Sequence, residues 1–259
     1  MLLGAHQLGH LALILARVVG LFITAPILKS RTFFTFAKIA LALWITLTFW
    51  FVVPAPKQMP STSLTFILAL LSELMIGMII GFVTDLVLSA VEFGGHLIDA
   101  QMGLTTGQTL DPTSGASTTI MSRLLRWSAI MVFLSVDGHH RLLSAVMQSF
   151  QWLPLAQPVN FAAASDEMVK LGTMLFSIGT QVAMPIILVI FFMDFALGMV
   201  SRVAPQVNVF QLGMEIKPTV GAIVFLMTVP FLFNYITPVI ARSLDDIFRV
   251  VMILRQNPG

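Results

Sequence analysis

Six apolar runs constrain this chain more than any other feature. They lie at about 11–28, 37–53, 64–91, 124–136, 168–200 and 220–240, and alanine, leucine, isoleucine and methionine dominate them. A backbone in apolar surroundings must satisfy its own N–H and C=O groups, and a helix does so within one segment. The breaks between runs carry Pro54, Pro56 and Pro60, then Pro154 and Pro158, then Pro205 to Pro218. None is long enough to fold alone, and Ser61, Thr62 or Ser63 offers a cap for the third helix. The predicted fold class is all-α and membrane-associated. The chain is 57% hydrophobic and 10% charged, and its mean hydropathy of +0.93 sets it outside the soluble class. A formal net charge of +2 argues against nucleic acid as a partner. With no cysteine, disulfides, thiolate catalysis and thiolate-held metals are excluded. The first basic residue, Arg17, falls inside an apolar run and not ahead of it, so the N-terminus does not read as a cleavable signal.

The runs are poor lipid-facing spans. Arg17, Glu73, Asp85 and Asp194 lie well inside them, and each charge at a bilayer centre costs about 2.5–3.5 kcal/mol. The fourth run is too short to cross a core of roughly 30 Å at 1.5 Å per residue. Pro185, Pro230 and Pro238 interrupt the last two. Bent helices packed on other helices explain this better, with neighbours supplying polar partners; a polytopic protein with kinked spans is the plainer alternative. Glu73, Gly77 and Gly81 are spaced by four and share one helical stripe, which reads as a packing groove with a buried carboxylate. Asp85, Ser89, Glu92, His96 and Asp99 share a second stripe that leads to Gly103. That stripe requires the helix to survive Gly94-Gly95, at a cost of about 2 kcal/mol. It is either the solvated face of an amphipathic helix or a hydrophilic wall beside a conduit.

Residues 94–117 read GGHLIDAQMGLTTGQTLDPTSGAS. A stretch so polar and rich in glycine cannot face lipid. No nucleophile elbow surrounds Ser114 or Ser117, and Gly103, Gly107 and Gly115 make no phosphate-binding fingerprint. Its chemistry is that of a nearly uncharged plug, with Leu104 and Leu110 able to seal and Asp111-Pro112 initiating a turn. His139 and His140, adjacent on a helix, are expected to point apart, and His6 and His10 lack a third ligand. Arg202 offsets Asp194 or holds carbonyls at a helix end. No metal, cofactor or enzymatic activity is expected, since paired Ser/His, Asp/Asp and HExxH arrangements are missing from the sequence. A proton- or ion-coupled secondary transporter using Glu73, Asp85 or Asp194 is the alternative of a different class.

The motifs, taken in order, resemble the FliR family of the flagellar type III export gate, whose injectisome relatives are called SctT. The resemblance rests on Arg17-x-x-Gly20 with Pro26 and on Glu73-x-x-x-Gly77-x-x-x-Gly81. Gly95-x-x-Ile98-Asp99-x-Gln101-x-Gly103 with Asp111-Pro112, Gly138-His139-His140 and Pro205-Gln206-x-Asn208-x-Phe210 complete it. It covers about residues 10 to 255. It implies a non-enzymatic subunit of a bacterial inner-membrane complex with FliP-like and FliQ-like subunits, in the flagellar basal body and partly on the periplasmic side. Stacked, bent helical hairpins would build a hetero-oligomeric helical pore for unfolded exported proteins, in contact with membrane lipid and further export-apparatus membrane proteins. It also implies a FliP-like part over 1–165 and a FliQ-like hairpin over 166–259, dividing near Ser165. The plug of the family matches 103–117, which implies that Gly103, Leu104, Thr105, Thr106, Gly107, Gln108, Thr109, Leu110, Asp111, Pro112, Thr113, Ser114, Gly115 and Ala116 close the pore, flanked by Met102 and Met121. Arg17, Glu73, Gly77, Gly81, Asp85, Asp194 and Arg202 are the expected buried polar and packing residues.

Overall fold

The structure, a computed structural model, describes residues 4–26, 34–56, 60, 62–105, 119–157, 159 and 161–255. Among the described residues the fold is all-α. Seven helices follow in order: α1 (Ala5–Thr24), α2 (Thr35–Val52), α3 (Ser63–Gln101), α4 (Ile120–Ser135), α5 (Gly138–Trp152), α6 (Phe161–Val203) and α7 (Val209–Leu254). Five of them, α1, α2, α3, α6 and α7, are long and apolar enough to cross a membrane. With 39, 43 and 46 residues, α3, α6 and α7 exceed the roughly 20 residues that a bilayer core requires.

The helices outrun the apolar runs, and each excess has a local cause. Helix α3 passes through Gly94-Gly95 without a break. Gly95 lies against the backbone of Ser122 and Gly94 against that of Gly179, leaving no space for a Cβ. Close packing outweighs the propensity cost of about 1 kcal/mol per glycine. Pro218, Pro230 and Pro238 lie inside α7 and Pro185 inside α6. The expected long break over 205–218 therefore contracts to the few residues between Val203 and Val209. Helix α4 has 16 residues, still short for a span. Helix α5 corresponds to none of the apolar runs. Its buried residues Leu142, Ala145, Val146, Ser149 and Phe150 recur at three and four positions, with polar residues between. Such a helix is visible in periodicity and not in mean hydropathy. Asp137, with φ 57° and ψ 31°, makes the left-handed turn between α4 and α5.

The chain forms two compact units, Met1–Leu86 with Leu134–Leu171 and Ala241–Gly259, and Val87–Phe133 with Gly172–Ile240. In the first, α1 packs on α2, and Leu13, Ile14, Val18, Ile76, Ile80, Val146 and Val251 are buried. In the second, Leu88, Val91, Ile98, Ala129, Phe133, Val182, Ile186 and Ile190 are buried. Here α6 and α7 run antiparallel. Tyr235 Oη donates to Gln181 Oε1 at 2.6 Å, and Lys217 meets Asp194.

Much apolar surface stays uncovered within the chain. Phe36, Trp44 and Phe51 of α2, Phe191, Phe192 and Phe195 of α6, and Phe210, Met227 and Phe231 of α7 are all exposed. An apolar surface of this extent needs lipid or protein against it.

Candidate functional sites: two polar junctions and the end of α3

The first junction centres on Arg17, which is fully buried. Its Nε donates to Glu73 Oε2 at 2.6 Å, its Nη1 to Ser149 Oγ at 2.9 Å and its Nη2 to the carbonyl of Leu153 at 3.0 Å. The guanidinium carbon lies 4.2 Å from the centre of the Phe150 ring. Glu73 Oε1 accepts the N–H of Ala156 at 3.1 Å, and Ala156 is held at φ 61°. The glycines make this reach possible. Gly77 sits against the carbonyl of Arg17 and Gly20 against that of Leu74, where any Cβ would overlap backbone. Gly81 meets Thr24, whose Oγ1 donates to the Met78 carbonyl at 2.9 Å. One ion pair thus ties α1 and α3 to α5 and to the turn that follows α5. A buried charge is stable only when its partners are complete.

The second junction lies in the other unit, where α3 ends and α4 begins. Met102 donates its N–H to the Ile98 carbonyl, Gly103 to that of Ala100 and Leu104 to that of Asp99, at 2.9, 3.2 and 3.0 Å. With Gly103 at φ 76°, this is a Schellman ending, which requires a residue free to adopt positive φ. The carboxylate of Asp99 accepts the N–H of Met121 on Oδ1 at 3.1 Å and that of Ser122 on Oδ2 at 2.9 Å. The Thr119 hydroxyl also donates to Asp99 Oδ2. A negative group here satisfies otherwise unpaired N–H groups at the positive end of a helix. Further along, Arg126 donates to Glu92 Oε2 at 2.7 Å and to Ser89 Oγ at 3.4 Å. The stripe from Asp85 to Asp99 is therefore no solvated face. Asp85 and Asp99 are buried, and Ser89, Glu92 and Asp99 are engaged by α4. Helix α4 thus takes up Ser89, Glu92 and Asp99 of the stripe.

Met102 is also buried, its side chain lying where Gly221 of α7 has no Cβ. Beside it is a cavity of about 570 Å³ lined by Met102, Gly103, Leu104, Phe210, Asp194 and Lys217, among others. Lys217 Nζ pairs with Asp194 Oδ1 at 2.6 Å, and Asp194 and Arg202, both expected to be buried, are exposed, Arg202 in the last turn of α6. Lysine at 217 reaches Asp194 because α6 and α7 are antiparallel, a relation invisible along the chain. Of the plug residues, Gly103, Leu104 and Thr105 close α3, and Thr106 to Ala116 lie outside the described residues. Met121 is buried in the first turn of α4.

The histidines depart from expectation. The rings of His139 and His140 lie with centroids 4.1 Å apart and planes tilted by 37°, and Asp137 Oδ1 lies 3.4 Å from His140 Nδ1. Nitrogen and oxygen atoms of the three residues fall within 4.8 Å of one another. The left-handed turn at Asp137 folds its carboxylate back over the first turn of α5. His6 is exposed while His10 is buried. The sequence reading missed Ser149, Arg126 and Lys217 as partners. Arg126 carried the same signal as Arg17, a lone cation in an apolar run.

The family model described as bacterial export proteins, family 1, matches residues 8–243. The flagellar biosynthetic protein FliR of Pectobacterium carotovorum subsp. carotovorum is 32% identical over 232 residues, 90% of this chain and 87% of that protein. FliR of Escherichia coli (strain K12) is 30% identical over 238 residues, 92% of this chain and 89% of that protein. The Yop proteins translocation protein T of Yersinia pestis is 27% identical over 252 residues, 94% of this chain and 95% of that protein.

Proposed function

The chain belongs to the bacterial export proteins, family 1, and from that premise we propose that it is a pore subunit of the flagellar type III export apparatus, passing unfolded proteins across the bacterial inner membrane for flagellum assembly. Its partners are FliP-like and FliQ-like subunits together with further membrane proteins of the apparatus. The observation that carries the proposal is the division of the surface. Buried charges such as Arg17 and Glu73 are satisfied inside the chain, whereas long apolar faces of α2, α6 and α7 are left for other molecules. Higher identity to two FliR proteins than to the Yersinia translocation protein favours the flagellar over the injectisome system. Residues 1–165 form the FliP-like part. Residues 166–259, with most of α6 and all of α7, form the FliQ-like hairpin. Part of the assembly projects on the periplasmic side, and the segment from Gly103 to Ala116 is the plug.

The secondary-transporter alternative finds no support. The family and the relatives are export and translocation proteins, and Glu73 and Asp194 are held in ion pairs with Arg17 and Lys217. The test is the native mass of the chain expressed alone and with its FliP-like and FliQ-like neighbours. A hetero-complex that forms only on co-expression is expected; a stable, active homo-oligomer or monomer rejects the proposal. Within that complex, deletion of Thr105 to Gly115 is expected to raise ion conductance, and unchanged conductance rejects the plug.

A further inference from the structure

We infer that Asp99 is a positioning residue that anchors both roots of the segment between α3 and α4 to a single point, and so sets where the proposed plug starts and ends. The backbone and the side chain of one residue carry the two halves of the anchor. The carbonyl of Asp99 accepts the Leu104 N–H at 3.0 Å and closes the Schellman turn from which the segment departs. Its carboxylate accepts Met121 N–H at 3.1 Å, Ser122 N–H at 2.9 Å and the Thr119 hydroxyl, where the segment returns.

The anchor is built and not incidental. Asp99 is fully buried, so its charge is stable only while these donors are present. One turn earlier Gly95 lies against Ser122 Cα and N, where no side chain would fit, which lets the first turn of α4 approach the carboxylate. Thr119 is fixed in turn, sharing a 3.1 Å contact with Ser122 Oγ and accepting from it on its carbonyl at 2.9 Å. Leu104 and Thr119 are fifteen positions apart in the sequence, yet both are bonded to Asp99. A buried carboxylate with three charge-assisted hydrogen bonds holds the two ends at that point. A carboxylate is also the one short side chain that can accept from all three donors at once. Asparagine would turn its NH₂ toward at least one of them.

The consequence for the pore rests on the plug reading above, and the experiment separates the two. It uses the full complex with its partner subunits and compares the wild type, Asp99→Asn, Thr119→Val and the deletion of 105–115. Amide exchange in peptides spanning 119–124 is expected to quicken about tenfold or more in Asp99→Asn, and less in Thr119→Val, which removes one donor and keeps its volume. Ion conductance is expected to rise in the order wild type, Thr119→Val, Asp99→Asn, deletion. Unchanged exchange in Asp99→Asn overturns the anchor. Faster exchange without added conductance, where the deletion does leak, overturns the positioning role. A deletion that does not leak overturns the plug reading and with it the pore consequence. Failure of both point variants to assemble also overturns the inference, because Asp99 would then serve folding at large.

Discussion

Arg17 shows what a single residue can reveal in advance. A cation inside an apolar run must find partners within the protein, and Glu73, the nearest acid of comparable depth, was open to inspection in the sequence. Ser149 and the Leu153 carbonyl were not, because they lie 132 and 136 positions away and carry no charge. The energetics of such a pair are asymmetric: loss of one partner strands the other, whereas loss of both removes the problem. Arg17→Met is expected to destabilise the assembled protein by about 3–5 kcal/mol. The double variant Arg17→Met with Glu73→Met is expected to recover part of that loss, limited by Ser149 and Leu153, which remain without their donor. Thermal unfolding of the four members of the double-mutant cycle measures the coupling. Additive losses would mean that the pair is not energetically joined.

At the scale of elements, the long apolar helices were legible and their ends were not. Hydropathy marks the stretch that must leave water, but a helix ends where its caps and neighbours end it. Helix α3 continues past Gly94-Gly95 because α4 and α6 press against it there, and α7 keeps Pro218, Pro230 and Pro238 within it. Helix α5 went unseen because only one of its faces is apolar. The Glu73-Gly77-Gly81 stripe was legible as a groove, and its occupant is α1, with Gly20 facing back. Gly77→Ala places a methyl group on the Arg17 carbonyl, and α1 must move away. Overpacking of this kind costs about 1–3 kcal/mol, and here it also displaces the guanidinium from Glu73. The chain has no cysteine of its own, so a cysteine pair introduced across the α1–α3 crossing reports the spacing cleanly. Cross-linking is expected to fall sharply in Gly77→Ala and in Gly20→Ala, and equal yields in variant and parent would refute backbone contact at this crossing.

For the whole molecule, composition already places the chain beside a membrane, but it does not distinguish lipid from protein as the cover of an apolar face. Both are equally dry, and only the shape of the partner differs. Helix α6 carries the clearest case. Met184, Leu188, Phe191, Phe195 and Met199 recur at three and four positions and are all exposed, at 42%, 49%, 61%, 65% and 55%. They form one continuous stripe along the helix. A lipid-facing stripe tolerates exchange of one apolar residue for a smaller one, since acyl chains fill the space left behind. A protein-facing stripe does not, because aromatic anchors in a packed interface carry about 2 kcal/mol or more each. Phe191→Ala with Phe195→Ala therefore discriminates the two. On the export-subunit proposal, the variant is expected to reach the membrane at the normal level and to lose most of its co-purification with the FliP-like and FliQ-like neighbours. Full recovery of the complex would assign the stripe to lipid. The proposed pore would then have to draw its contacts from α2 and α7, whose exposed Trp44, Phe51 and Phe231 are the next residues to replace.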